Sequence, residues 1–210
     1  MSGTDAIVYI IDDDTSVRNS LRWLIESVQL RVEEYATANE FLDAVQDSHT
    51  GCMILDVRMP GMSGLDLQDV LVQRGIHLPI IIVTGHADVS MAVRAFKAGA
   101  FDFIEKPFND QHLIDRIQQA IEKCRSEQVE VQRKQHASKR LATLSRREQQ
   151  VLDLVVAGNS NKQIARELDI SIKTVESHRA NLMTKMQVSS VSELVRLALI
   201  AGRDKTPGPA

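Results

Sequence analysis

Five polar side chains stand where apolar runs stop. Asp12 and Asp13 follow Val8-Tyr9-Ile10-Ile11, Asp56 follows Cys52-Met53-Ile54-Leu55, Thr84 closes Pro79-Ile80-Ile81-Ile82-Val83, and Lys106 follows Asp102-Phe103-Ile104-Glu105. Short apolar runs without alternation read as strands buried on both faces. A single Asp at a strand end is a common stop signal. Two acidic strand ends mean more, because ligands of a parallel α/β sheet bind just beyond the carboxyl ends of its strands. Three carboxylates on one rim repel one another unless a cation neutralises them, and hard oxygen ligands favour Mg²⁺. Asp56 can then act as a nucleophile toward a phosphoryl group, as carboxylates do in aspartyl-phosphate chemistry. Mg²⁺ and the Lys106 ammonium would stabilise charge on the transferring oxygens, with the Thr84 hydroxyl offered to the product.

The elements that must position these groups follow in order. Strands over 7–11, 31–35, 79–84 and 102–105, with one ending at Asp56, alternate with helices. Asp14 or Thr15 caps a helix with Val17, Leu21, Leu24, Ile25 and Val28 on one face. Thr37-Ala38-Asn39-Glu40 is a capping-box pattern with Phe41, Leu42 and Val45 inward. Further helices span 64–74 and 89–98, and a long one starts near Asp110. This alternation predicts a doubly wound, five-stranded parallel sheet. Trp23 reads as half-buried, Met91, Val93 and Phe96 as helix packing, and His86 as a loop residue lining the site.

At 210 residues the chain has room for two domains. No apolar run approaches the roughly 20 residues that span a bilayer, and the first residues lack a signal-peptide pattern, so a cytoplasmic protein is expected. Cys52 and Cys124 read as reduced structural thiols rather than metal ligands. Residues 1–124 carry 10 Lys and Arg against 19 Asp and Glu, whereas residues 125–210 carry 15 against 9. An acidic half joined to a basic one points to two jobs, with nucleic acid a partner for the second.

Residues 125–140 are rich in Gln, Glu, Lys and Arg without Pro or Gly, a helical linker by composition, expected to fray near 136–138. No sustained heptad pattern supports a coiled coil. Ser145-Arg146-Arg147-Glu148 then opens a helix through Ala157, and Ser160-Asn161-Lys162-Gln163 opens a short second one. Ser171 caps a third helix to Met186, and Ser190-Val191-Ser192-Glu193 boxes a fourth. Two helices around the Asp169-Ile170 turn make a helix-turn-helix. On the third helix Val175, Leu182 and Met186 lie on a core side, while Lys173, Glu176, Ser177, Ala180 and Thr184 recur on the other. Glu176 or Ser177 can meet base edges and small Ala180 permits close approach, while Lys173, Arg179, Asn161 and Lys162 can hold phosphates.

Asp12-Asp13, Asp56, Thr84 and Lys106-Pro107 resemble, in order, the receiver domain of two-component response regulators over about residues 5–124. Leu144-Ser145-Arg146-Arg147-Glu148-Gln149-Gln150-Val151-Leu152, Asn161-Lys162-Gln163-Ile164-Ala165 and Thr174-Val175-Glu176-Ser177-His178-Arg179 resemble the four-helix LuxR/NarL-type DNA-binding domain over about 141–203. Together they look like regulators of the FixJ type. The resemblance implies a flavodoxin-like, CheY-like receiver (1–124), a helical linker (125–140), a helix-turn-helix domain (141–204) and a flexible tail (205–210). It implies phosphorylation of Asp56 by a sensor histidine kinase, and Mg²⁺ held by Asp13, Asp56 and the Arg58 carbonyl, with Asp12 acting through water. Lys106-Pro107 is usually cis in the family, and Thr84 with Phe103 matches its switch pair. The implied partners are a second copy of the chain, paired over 89–105 and through the helix from Val191, double-stranded DNA and RNA polymerase. DNA contacts carry over to Asn161, Lys162, Lys173, Thr174, Glu176, Ser177, His178, Arg179 and Ala180. The expected function is a phosphorylation-switched transcription factor, most often an activator and not an enzyme beyond accepting and slowly losing phosphate. The alternative keeps the architecture with DNA binding independent of phosphate. A phosphohydrolase using Asp56 would need a substrate cap and a second general acid, which the sequence does not supply. An RNA-binding antiterminator would favour RNA over duplex DNA.

Overall fold

Strands that lack polar residues can be covered on both faces, and this chain does so. The computed structural model describes residues 6–45 and 50–202. In it β1 (Ile7–Ile11), β2 (Arg31–Tyr35), β3 (Gly51–Leu55), β4 (Ile80–Thr84) and β5 (Asp102–Glu105) form one parallel sheet in the order β2-β1-β3-β4-β5. Side chains alternate between its faces. Val8, Ile10, Cys52, Ile54, Ile81 and Val83 pack with α1 (Thr15–Ser27) and α5 (Asp110–Ala142). Tyr9, Ile11, Met53, Leu55, Ile80 and Ile82 pack with α2 (Ala38–Ala44), α3 (Gly64–Gln73) and α4 (Val89–Lys97). Both faces of β1, β3 and β4 are thereby dry, which accounts for their lack of alternation.

The chain divides into two compact units between Glu127 and Gln128. The second has its own core, drawn from α6 (Arg146–Val156), α7 (Asn161–Glu167), α8 (Ile172–Met186) and α9 (Val191–Ile200). Val151, Leu152, Ile164, Val175, Leu182 and Met186 fill it. Asp169, between α7 and α8, takes the left-handed conformation with φ 51°, which Asp tolerates better than most residues. Among the described residues no helix is long and apolar enough to cross a membrane.

Several expectations need correction. The helix from Asp110 does not fray near residues 136–138; α5 continues to Ala142. Ala137 is buried there, and Leu141 and Leu144 belong to the second core, so burial holds those turns in place. Trp23 is 77% exposed rather than half-buried, and Val93 and Phe96 on α4 are exposed rather than packed. Of the two candidate caps for α1, the structure uses Asp14. Ser145 and Ser160 make full capping boxes, but Thr37 and Ser190 do not. Glu40 and Glu193 instead accept from the N–H one residue earlier, those of Ala36 and Ser189. The N-cap φ differs with the outcome: −66° and −71° at the two boxes, −140° at both others, which turns the N-cap N–H away. Residues 205–210 lie outside the described residues.

Candidate functional site

The adjacent central strands β1 and β3 deliver the acidic residues, and ladder bonds continue one residue past the strand ends. Asp12 N donates to Tyr35 O, Asp56 N to Ile11 O, and Lys106 N to Thr84 O. Each functional backbone is therefore fixed by a neighbouring strand rather than by its loop. Strand order reverses between β1 and β3, the position where open α/β sheets bind ligands.

The sheet brings Asp12, Asp56, Thr84 and Lys106 together. Lys106 Nζ lies 2.7 Å from Asp12 Oδ2 and 3.2 Å from Asp56 Oδ1. The other Asp56 oxygen accepts from Arg58 N at 2.6 Å, and Asp12 Oδ1 accepts from Asp14 N at 2.9 Å. The Lys106-Pro107 bond is cis. Asp12, Asp56 and Thr84 are buried, whereas Asp13 is exposed. Thr84 Oγ1 accepts from His86 N at 3.4 Å, and half-buried Phe103 packs on the α3/α4 side of the sheet. An open cleft of about 700 Å³, lined by Asp13, Arg58, Met59, Ser90, Met91 and Arg94, lies beside the rim.

Burial pushes the Asp56 carboxyl above its usual range with help from the Asp12 charge, and the Lys106 charge offsets this only in part. Burial works to lower the Lys106 ammonium as well, but its hydrogen bond to Asp12 and the two carboxylate charges outweigh burial and raise it. Lys106 thus stays charged. Two buried carboxylates share this single ammonium, leaving net negative charge to be met. Among the described residues no three His, Cys, Asp or Glu side chains form a ready metal cage; Lys106 bridges Asp12 and Asp56, and Asp13 is exposed. The buried pair Asp12 and Asp56 offers oxygen donors only, the kind a hard divalent cation takes.

Two contributors escaped sequence reasoning. Arg18 donates to the Asp12 carbonyl at 2.6 Å from one turn into α1. Gly64 opens α3, and a Cβ there would stand 2.1 Å from the Asp56 carbonyl oxygen. A glycine at the start of a helix rather than at its end was the available signal. Gly64→Ala must displace the backbone of Asp56 itself, so it is expected to cost about 1–3 kcal/mol of stability, as overpacking does. Thermal unfolding checks the stability, and phosphoryl uptake from an acyl phosphate checks the site.

In the second unit Lys162, Lys173, Glu176, Ser177 and Ala180 are exposed, while Asn161, Thr174, His178 and Arg179 are partly buried. Val175, Leu182 and Met186 are buried on the opposite side of α8. The exposed stripe is thus real, but several of its polar groups have local partners. Arg179 donates to Asn161 Oδ1 at 2.5 Å, linking α8 to α7. Ser177 donates to Lys173 O, and Thr174 Oγ1 pairs with the capping Ser171 hydroxyl. These residues keep lone pairs or spare N–H groups for a ligand.

Behind the stripe sits Glu148, 4% exposed. It accepts from Ser145 N and from Lys185 Nζ, both at 2.7 Å, joining the start of α6 to the end of α8. The Lys185 hydrogen bond holds its carboxyl below the ordinary glutamate range, against burial and with the Ser145 N–H. A depressed carboxylate contributes stability that is present above its unfolded value, about 4.3, and lost as pH falls through the folded one. Glu148→Ala removes a cap and a charge partner and is expected to cost about 2 kcal/mol. Hydrogen exchange of α6 and α8 amides, followed down through pH 4 or so, should show acid loosening that is weaker in Glu148→Gln.

Comparison with known proteins agrees with this geometry. Residues 8–118 match the model of the response regulator receiver domain, and residues 142–198 that of bacterial regulatory proteins of the luxR family. The chain is 48% identical over 195 residues to the transcriptional regulatory protein FixJ of Azorhizobium caulinodans, covering 93% of this chain and 92% of that one. It is 47% identical over 197 residues to the response regulator protein TodT of Pseudomonas putida, covering 94% and 87%. Among solved structures, the response regulator StyR matches with a TM-score of 0.85 at 41% identity, covering 93% and 99%. Full-length FixJ from B. japonicum matches with a TM-score of 0.59 at 46% identity, covering 96% and 100%. The parallel-sheet unit and the helix-turn-helix unit are thus those of a shared plan: the chain belongs to the DNA-binding response regulators of two-component systems, with a receiver domain and a luxR-family domain.

Proposed function

We propose that Asp56 accepts a phosphoryl group from a sensor histidine kinase and that the aspartyl phosphate controls pairing of the chain with a second copy and its grip on duplex DNA. The observation that carries this reading is the placement of Asp56: buried, at the end of a central strand, with Lys106 Nζ at 3.2 Å and Arg58 N at 2.6 Å. An Asp56 oxygen attacks phosphorus, the P–N bond to the donor imidazole breaks, and the leaving nitrogen keeps the electron pair and takes a proton. Lys106 is held beside the acceptor by Asp12 and can follow the charge from the carboxylate to the new phosphoryl oxygens. Asp12, Asp13, Asp56 and the Arg58 carbonyl would hold Mg²⁺, which when bound neutralises phosphoryl charge. Thr84, whose hydroxyl accepts from His86 N, donates that hydroxyl to the phosphate, and Phe103 turns inward behind it.

At the other end, α8 lies in the major groove. Glu176, Ser177 and Ala180 face bases; Lys162 and Lys173 contact phosphates; Arg179 and Asn161 brace the two helices and contact the backbone with their remaining N–H groups. The chain acts in the cytoplasm on promoter half-sites and regulates, most simply activates, RNA polymerase there. Solution mass and duplex-DNA affinity measured together, with and without Mg²⁺ plus a small-molecule acyl phosphate, test the scheme. A shift toward dimer with tighter DNA binding is expected, since linked equilibria must move together. Phosphoryl uptake with neither change would leave a regulator whose DNA binding is independent of phosphate.

A further inference from the structure

Helix α4 is attached to its unit by few apolar side chains, Ala95 and the half-buried Met91. Ala95 is its one buried residue, while Val89, Val93 and Phe96 are 82%, 46% and 51% exposed. Polar contacts with α3 add to this, and all fall on one turn. Arg94 meets Asp66 Oδ1 at 2.8 Å and Asp69 Oδ2 at 2.7 Å. The neighbouring Ala95 carbonyl accepts from Gln68 Nε2 at 3.1 Å. The amide orientation follows from chemistry, because a carbonyl can only accept.

Gln68 is 1% exposed, and its Oε1 meets no donor. A buried acceptor without a partner is costly. Ala95 O already accepts from Ala100 N at 2.9 Å, so α4 does not need Gln68 to satisfy that carbonyl. The Gln68 bond therefore serves the attachment between helices rather than the completeness of α4. Arg94 adds a two-carboxylate clamp at the surface, where each ion pair is individually weak.

Resting on the phosphorylation reading above, we infer that Gln68, Asp66 and Asp69 are positioning residues that pin α4 in its unphosphorylated seat. The strength of this pin sets how active the chain is before any phosphoryl group arrives. The buried Gln68 oxygen, which meets no donor, costs this seat free energy and so weakens the pin. A small gap between two seats is the condition for a population shift. Thr84 and α4 are separated only by the loop from Gly85 to Asp88, so a change at the Thr84 hydroxyl reaches this helix directly.

The test uses the full chain without a phosphodonor. Arg94→Ala leaves the Ser63 cap of α3 intact, and Asp69→Asn removes one arm of the clamp. Hydrogen exchange of α4 amides should quicken about three- to tenfold in Arg94→Ala and less in Asp69→Asn. DNA affinity of the unphosphorylated chain should rise by no more than the same factor. Arg94→Lys, which keeps the charge between the two carboxylates, should retain most of the protection. Unchanged α4 exchange in Arg94→Ala overturns the pin; faster exchange with unchanged DNA affinity overturns its control of activity. Failure of the phosphorylation reading would show separately, as a wild-type chain that gains no DNA affinity from acyl phosphate. The exchange comparison, repeated in Asp56→Asn, does not depend on that result.

Discussion

With Asp56 replaced by Asn, the chain is expected to take up no phosphoryl group from an acyl phosphate and Mg²⁺, and its DNA affinity is expected not to respond to the donor. The substitution keeps the shape of the side chain and removes the nucleophile, because a carboxamide oxygen does not form a stable phosphoryl adduct. The surroundings should hold. Lys106 keeps its 2.7 Å partner Asp12, and Arg58 N keeps an amide oxygen as acceptor. Intact-mass measurement gives the first half of the result, with a phosphoryl adduct in the wild type and none in the variant. Duplex binding with and without donor gives the second. An adduct that survives in Asp56→Asn would move the acceptor to Asp12 or Asp13, and DNA affinity that still rises with donor would detach the two units from the scheme.

Glu176→Ala and Lys173→Ala should both weaken duplex binding, in ways that separate their roles. Both side chains are exposed on α8, opposite the buried Val175 and Leu182. A carboxylate in the major groove accepts from cytosine N4, so losing it costs about 1–3 kcal/mol on the preferred sequence and relaxes the preference there. A phosphate-bound lysine instead supplies affinity without sequence information. Its loss should weaken binding to all duplexes alike and reduce the slope of log affinity against log salt by about one. Selection from a randomised duplex pool, followed by salt titration of the winner and a scrambled control, reads both effects. Equal losses on winner and control in Glu176→Ala would remove that residue from base recognition.

The acidic rim was readable because its carboxylates sit at the ends of strands that announce themselves. Leu55 followed by Asp56, and Ile11 followed by Asp12, change from apolar to acidic in one step, and the parallel sheet aligns such steps on one edge. The hydrophobic side of α8 was readable for a similar reason, since Val175, Leu182 and Met186 keep helical spacing. Readings failed where an answer depended on distant partners. Trp23 reads as half-buried and Phe96 as packed by type, yet they are 77% and 51% exposed. Thr37 and Ser190 have the composition of a capping box, but the N-cap φ decides which N–H the glutamate reaches.

Composition and spacing alone therefore pointed to the parallel sheet, the acidic strand ends and the basic helix-turn-helix. These are local properties: a periodicity, a cap or a strand end is written within a few neighbouring residues. The fold alone established that Lys106 bridges Asp12 and Asp56 across 94 and 50 positions of chain, that Gly64 makes room for the Asp56 carbonyl, and that Gln68 reaches Ala95. It also showed that Ala137, Leu141 and Leu144 are buried, where composition reads a linker that frays. Burial and pairing arise between segments far apart in sequence, and only close packing determines which of them meet.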